Sequence, residues 1–267
     1  MKNLWLLYKA FFKVKILTKL QFPVAYWLGF FGQIVTYGAN FAVIAIAVSS
    51  FGELHGWKAE EILLLYAFTL MSYAIGAFFT FLSSTGLADN IRSGAFDMSL
   101  TKPMNPFLFQ MLNYDLELAY LSHFTLALGV MIYALVRVGF AATLGNIVLL
   151  VLFVLGAAAI QGSLQVFASL FSFHTVNENP MFMVISQFKD FLKYPISIYG
   201  AMLQFFLTFL LPIGFINYYP AQYLLSKPDG LFSPWLGLLT PVIGAGLFFL
   251  AYKLWMRGLK HYNSSGS

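Results

Sequence analysis

Asn146–Phe171 reads NIVLLVLFVLGAAAIQGSLQVFASLF and contains no charged residue. About 20 apolar residues, each rising about 1.5 Å, cross the roughly 30 Å of bilayer hydrocarbon, so this run is expected to be a membrane-spanning helix. It lies within one of six charge-free stretches, at 20–52, 62–88, 118–136, 138–177, 194–226 and 230–252. Each holds one span. The stretch 138–177 is the longest, but Gly145-Asn146 and the polar end Ser172–Asn177 leave room for only one comfortable helix. The expected spans are 24–49, 62–83, 117–137, 146–171, 195–216 and 234–255. No ten-residue segments of alternating polarity occur, which argues against an outer-membrane barrel.

Composition agrees. The chain has 267 residues, 60% hydrophobic, 19% aromatic and 9% charged, with a mean hydropathy of +0.78. Soluble domains carry about 25% charged residues, so this surface could not face water all round. A soluble enzyme, a disordered chain and a nucleic-acid-binding domain are all excluded. Without cysteine there is no disulfide framework, thiolate metal site or cysteine nucleophile.

Six spans place both termini on one side, and the basic residues say which. Lys2, Lys9, Lys13, Lys15, Lys19, Arg92, Lys102, Lys189, Lys193, Lys253, Arg257 and Lys260 fall on that side, against Lys58, Arg137 and Lys227 on the other. This positive-inside bias makes both termini cytoplasmic. Residues 1–23 form a basic amphipathic helix on a helical wheel, with the lysines on one half and Leu4, Leu7, Phe11, Val14 and Leu17 on the other. Such a helix lies in the membrane interface and is stopped by Pro23. The first span is too long for a cleaved signal and lacks a small-residue cleavage pattern. Residues 24–258 form the membrane domain, with a cytoplasmic loop at 84–110 and an outer element at 217–233. Residues 259–267 read as a polar tail.

Chemistry-bearing motifs are missing. There is no phosphate-binding P-loop run, no His-Glu-x-x-His pair and no Gly-x-Ser-x-Gly elbow. His55, His123, His174 and His261 are scattered and make no metal-ligand set. His123, inside the third span, reads as satisfied by a neighbouring helix. No span carries a carboxylate near its middle, which disfavours an ion-coupled carrier.

Polar residues within the spans recur at helical spacing: Gln33, Thr36 and Asn40 in the first, Thr69, Tyr73, Gly76 and Thr80 in the second. The fourth has Gln161, Gln165, Ser169 and Ser172, and the fifth has Ser197, Gln204 and Thr208. Such stripes most often serve helix packing, but they can also line a path. A path through Gln33, Thr36, Asn40, Tyr73, Gln204 and Thr208 carries no charge and suits an apolar or amphipathic molecule. Beyond the fifth span, Asn217-Tyr218-Tyr219-Pro220 opens a segment too short and broken to cross. It reads as an outer re-entrant element.

The second-to-third loop contains IRSGAFDMSLTKPMNP at Ile91–Pro106. Ile91, Phe96, Met98 and Leu100 alternate with charged residues, and exposed apolar side chains beside charges suggest a protein contact. This run resembles the inner loop of permease subunits of bacterial type-2 ABC exporters. The later run YPISIYG…LPIGFINYYPAQYLL at Tyr194–Leu225 is similar to the same branch, and the resemblance covers essentially the whole chain. It implies an all-α integral membrane protein of six transmembrane helices, with an N-terminal interfacial helix and an outer re-entrant element before the last span.

The resemblance further implies a half-transporter in the bacterial cytoplasmic membrane. It would pair with a second permease, identical or homologous, and with two ABC ATPase subunits that bind ATP and Mg; this chain would hold no cofactor or metal and would not itself be an enzyme. A coupling helix would fall on Ile91, Arg92, Ser93, Gly94, Phe96, Asp97 and Lys102, and an outer gate on Asn217, Tyr218 and Tyr219. The Gln161, Gln165, Ser169 stripe has no place in that scheme. The alternatives are a stand-alone carrier or channel, or a non-transporting membrane scaffold.

Overall fold

The computed structural model describes residues 9, 13, 14, 16–18, 21–113, 119–173 and 180–262. The expected interfacial helix at 1–23 lies mostly outside the described residues. In chain order the helices are α1 (Pro23–Phe51), α2 (Ala59–Thr85), α3 (Leu87–Arg92), α4 (Ala95–Leu100), α5 (Pro106–Asn113) and α6 (Ala119–Arg137). They continue with α7 (Leu144–Ser169), α8 (Pro180–Phe188), α9 (Ala201–Phe205), α10 (Tyr218–Leu224) and α11 (Thr240–Lys260). Among the described residues no strand forms beyond one isolated bridge between Leu54 and Trp57.

Among the described residues, five helical stretches, Pro23–Val48, Ala59–Phe81, Tyr120–Arg137, Leu144–Phe173 and Pro234–Lys260, are long and apolar enough to cross a membrane. They coincide with the first four and the last of the expected spans, and the chain is an all-α membrane protein. Local chemistry sets their ends. Proline opens α1 at its first position, where a missing N–H costs nothing. Gly52 closes it with a φ of +79°, which only glycine adopts freely. Thr143 caps α7, its hydroxyl accepting from the Asn146 amide at 3.2 Å.

α7 is the central helix, gripped between α2 and α11. A Cβ on Gly156 would stand 2.7 Å from the Pro241 Cα, so the backbones of α7 and α11 touch where a side chain is missing. Small residues perform this role wherever membrane helices pack closely. The polar stripe of α7 faces α2. The Gln161 amide donates to the Thr69 carbonyl at 2.9 Å and to the Ser72 hydroxyl at 2.7 Å, and Thr80 donates to Gln165 at 2.9 Å. Gln161 and Gln165 thus bind α7 to α2.

The fifth expected span, 195–216, is not one helix. It breaks into a 3-10 turn at Ile196–Ile198, then α9, a π-helical turn at Phe206–Leu210 and another 3-10 turn at Ile213–Phe215. Pro195, Gly200, Pro212 and Gly214 supply the interruptions. The segment before it is helical instead, as α8 continuing into a 3-10 turn at Lys189–Lys193. This segment lies beside α2 between Phe81 and Thr69. Phe182 meets Phe81 with ring centroids 5.4 Å apart, the Leu192 carbonyl and the Thr69 hydroxyl share Asn217 as donor, and Ser197 reaches Asp229, which also holds Trp57. Lys189, expected beside the cytoplasmic ends of the spans, consequently stands against Tyr73 near the middle of α2, its Nζ 4.1 Å from the ring centroid.

Candidate functional site

At the Phe96 end of the bundle the loop 84–110 is folded, not loose. α3 and α4 meet at Gly94, whose φ of +71° makes the turn between them. Asn105 caps α5, its side-chain oxygen accepting from the Phe107 amide at 3.0 Å, while its amide donates to the Tyr252 hydroxyl at 3.0 Å. Phe96 is fully buried in an aromatic socket, with ring centroids 5.9 Å from Phe173, 6.2 Å from Trp255 and 5.1 Å from Tyr262. Gly258 makes room for this socket, since a Cβ there would lie 2.7 Å from the Phe173 ring. Tyr262 also donates to the Asp97 carboxylate at 3.0 Å.

The sequence expectation of exposed apolar side chains is corrected here. Ile91 and Phe96 are buried in the chain's own core, and of that set Met98 is the exposed one, at 69%. The alternation reads instead as two short amphipathic helices, with apolar residues turned inward. Outward stand Arg92 and Ser93, with Lys102 beyond α4. Arg92 bridges to Asp89 at 3.2 Å, both of them well exposed, and the Ser93 hydroxyl donates to the Asp89 carbonyl at 2.8 Å.

The residues expected to line a path fall into two groups. Gln33 and Tyr73 come together around His123: the Gln33 side-chain oxygen is 3.2 Å from His123 Nε2, and the Tyr73 and His123 rings lie 6.2 Å apart. Thr36 donates to the Gly32 carbonyl and Asn40 to the Thr36 carbonyl, both bonds within α1. Gln204 and Thr208 belong elsewhere. Gln204 donates to the Tyr199 carbonyl at 2.8 Å and accepts from the Leu231 amide at 3.1 Å, and the Thr208 hydroxyl is 2.6 Å from that of Tyr219.

The model of the ABC-2 family transporter protein matches residues 34–266. The chain belongs to this family. It is the permease subunit of a type-2 ABC transporter. No curated protein and no solved structure matches it.

At its Trp57 end the ABC-2 permease carries a feature that the sequence reading passed over. Asp229 accepts hydrogen bonds from four side chains: Trp57 and Ser197 on one oxygen, Tyr218 and Gln222 on the other. The Ser197 bond is 2.6 Å and the Gln222 bond 2.6 Å. Beside it Lys227 pairs with Glu61, half-buried, and its ammonium lies 4.8 Å from the Trp57 ring centroid. One carboxylate thus ties together the start of α2, the end of the α8 segment, α10 and the loop before the last helix. Its only sequence signal is a lone acid in a Pro-Asp-Gly turn, which reads as an ordinary loop.

The three residues expected at an outer gate are all buried beneath this junction. Asn217 donates to the Leu192 carbonyl at 2.6 Å and to the Thr69 hydroxyl at 2.9 Å. Tyr218 reaches Asp229 and Tyr219 reaches Thr208. Residues 201–224 form a helical hairpin. Tyr219 reaches back to Thr208 across the turn, Asn217 in the turn meets Thr69, and the next residue, Tyr218, opens α10 with its ring 5.9 Å from that of Trp57.

Proposed function

We propose that this permease is half of an exporter that moves an apolar or amphipathic molecule out across the bacterial cytoplasmic membrane by alternating access. Two separate ATPase subunits carrying ATP and Mg would drive it, and a second permease, identical or homologous, would complete it. In this reading the Phe96 end is cytoplasmic, and the α8 segment running to Ser197 makes the fifth of six crossings. The hairpin 201–224 dips in from outside, and both termini are cytoplasmic.

The observation that carries the reading is the seating of Phe96. A loop that merely joined two spans would not need a buried aromatic anchor. Here a push on α3 and α4 is delivered through Phe96 to Phe173 at the end of α7 and to Trp255 on α11. α7 in turn grips α2 along the Gln161 and Gln165 stripe. Close-packed contacts transmit displacement because they cannot compress. Closure of the ATPase dimer would therefore tilt the central helices together, and the junction around Asp229 would yield at the other end.

The natural lack of cysteine gives a direct test. Single cysteines at Arg92, Ser93 and Met98 are placed in the otherwise cysteine-free chain, and candidate ATPases are co-expressed. Cross-linking in membranes is then measured with and without ATP and vanadate, with Lys58→Cys as the control at the far end. Capture at the first three positions, in a nucleotide-dependent yield, is the expected result. Accessible cysteines that capture no ATPase would sink the exporter reading in favour of a stand-alone carrier or scaffold.

A further inference from the structure

We infer that Lys189, His123 and Gln33 form a site within the membrane domain for the acid group of an amphipathic substrate. The inference rests on the exporter reading for what is carried, and it narrows that substrate to an anionic class. Lys189 stands against the Tyr73 ring, 4.1 Å from its centroid. Among the described residues no carboxylate lies within ion-pair distance of it, and the adjacent Asp190 is engaged by Lys193 at 2.8 Å. A cation at this depth is costly unless something of opposite charge meets it, and a ring face offsets only part of that cost.

A second, independent group points to the same ligand. His123 is 5% exposed, and its Nε2 is occupied by the Gln33 side-chain oxygen at 3.2 Å. Among the described residues its buried Nδ1 has no hydrogen-bond partner, and buried polar atoms in that state call for a further group. The Gln33 amide, engaged through its oxygen, keeps its N–H donors for another acceptor. An acid group answers all three: an anionic oxygen for Lys189, an acceptor for the Gln33 N–H and, with the acid's own proton carried on His123, an acceptor for its Nδ1–H. Around them Tyr37 lies 4.2 Å from the His123 ring and Tyr120 5.7 Å from Tyr73, centroid to centroid. These rings offer flat apolar surface to the rest of the molecule. A cationic amphiphile would be repelled by Lys189, and a neutral one would leave it unmatched.

The test uses the full chain in nanodiscs of zwitterionic lipid. The probes are a pyrene-labelled long-chain carboxylate and the alcohol and quaternary amine built on the same chain. The parent protein is expected to bind the carboxylate at least about tenfold more tightly than the alcohol. Lys189→Met should remove that preference by weakening carboxylate binding, and a monodisperse size-exclusion profile matching the parent's shows that the variant is folded. Lys189→Arg should keep it to within about threefold, because the charge remains. His123→Phe should reduce it. Competition by phosphatidylglycerol, but not phosphatidylcholine, would identify the natural ligand as a lipid; failure of phosphatidylglycerol to compete would assign the site to a non-lipid acid.

Equal binding of carboxylate and alcohol by the parent would overturn the inference, as would an unchanged preference in Lys189→Met. The ATPase capture described above fails or succeeds independently. Capture without a carboxylate preference removes this inference alone. A preference without capture removes the exporter and leaves a ligand site.

Discussion

Gly76 of α2 lies directly against the backbone of Ala158 on α7: a Cβ built on Gly76 would stand 2.5 Å from the Ala158 carbonyl oxygen. The obstacle is backbone, so no rotamer change relieves it. Gly76→Val should therefore force the two central helices apart, at about 1–3 kcal/mol. Gly38→Ala is the control, since a Cβ there meets nothing within 4 Å. Thermal unfolding in detergent should show a lowered midpoint for Gly76→Val and none for Gly38→Ala. An unchanged midpoint in Gly76→Val would mean that α2 and α7 are not packed this closely.

Asp229 sits among donors of unequal flexibility. The Trp57 indole can only donate, whereas the hydroxyls of Ser197 and Tyr218 can also accept. Asp229→Asn keeps one acceptor oxygen, which can turn toward Trp57, and should cost little. Asp229→Ala removes the shared acceptor: Gln222 keeps its bond to the Tyr218 hydroxyl at 3.0 Å, while each donor left unsatisfied costs about 1–3 kcal/mol. A cysteine placed at Ala221, fully buried in α10, reports the result. It should resist a membrane-impermeant maleimide in the parent and in Asp229→Asn, and become labelled in Asp229→Ala.

Asn217 joins the hairpin tip to two other elements through one side-chain amide, at 2.6 Å to the Leu192 carbonyl and 2.9 Å to Thr69. Asn217→Leu has similar bulk but cannot donate. It should lower stability by about 1–2 kcal/mol, the range measured for hydrogen bonds between membrane helices. Asn217→Asp should be worse, because a buried carboxylate facing the Leu192 carbonyl has acceptors on both sides. Unfolding midpoints that rank parent, then Leu, then Asp would bear this out; a carboxylate variant as stable as the parent would not.

How far the sequence led can be read from particular residues. The long spans were legible because an unbroken apolar run has one low-energy solution in a bilayer. Resemblance picked out the loop from Ile91 to Pro106. Its inward face, however, was read as an outward one, because two six-residue helices are too short for period alone to separate them from an extended strand. The fifth expected span, 195–216, differs for another reason. Charge-free length marked 195–216 as the crossing, yet that stretch is broken by prolines and glycines. Lys189 lies in the 3-10 turn just before it, against Tyr73. A cation resting on Tyr73 is a tertiary fact with no local signature. Asp229 was missed on the same grounds, since its four donors come from three separate stretches of chain.

Phe96 and Arg92 stand four residues apart, one buried and one exposed, and should fail differently when altered. Phe96→Ala empties a socket formed by Phe173, Trp255 and Tyr262, a loss of about 3–5 kcal/mol where such a cavity cannot collapse. Cross-linking from Ser93→Cys to the ATPase should then lose its dependence on nucleotide, because α3 and α4 no longer move with α7 and α11. Arg92→Glu leaves the socket intact, since the side chain is more than half exposed, and should not lower the unfolding midpoint. It reverses the charge offered to the ATPase and should reduce cross-linking yield at every nucleotide state. If instead both variants reduced yield alike with nucleotide dependence preserved, Phe96 would be no more than a packing residue, and force would have to reach the membrane helices by another contact.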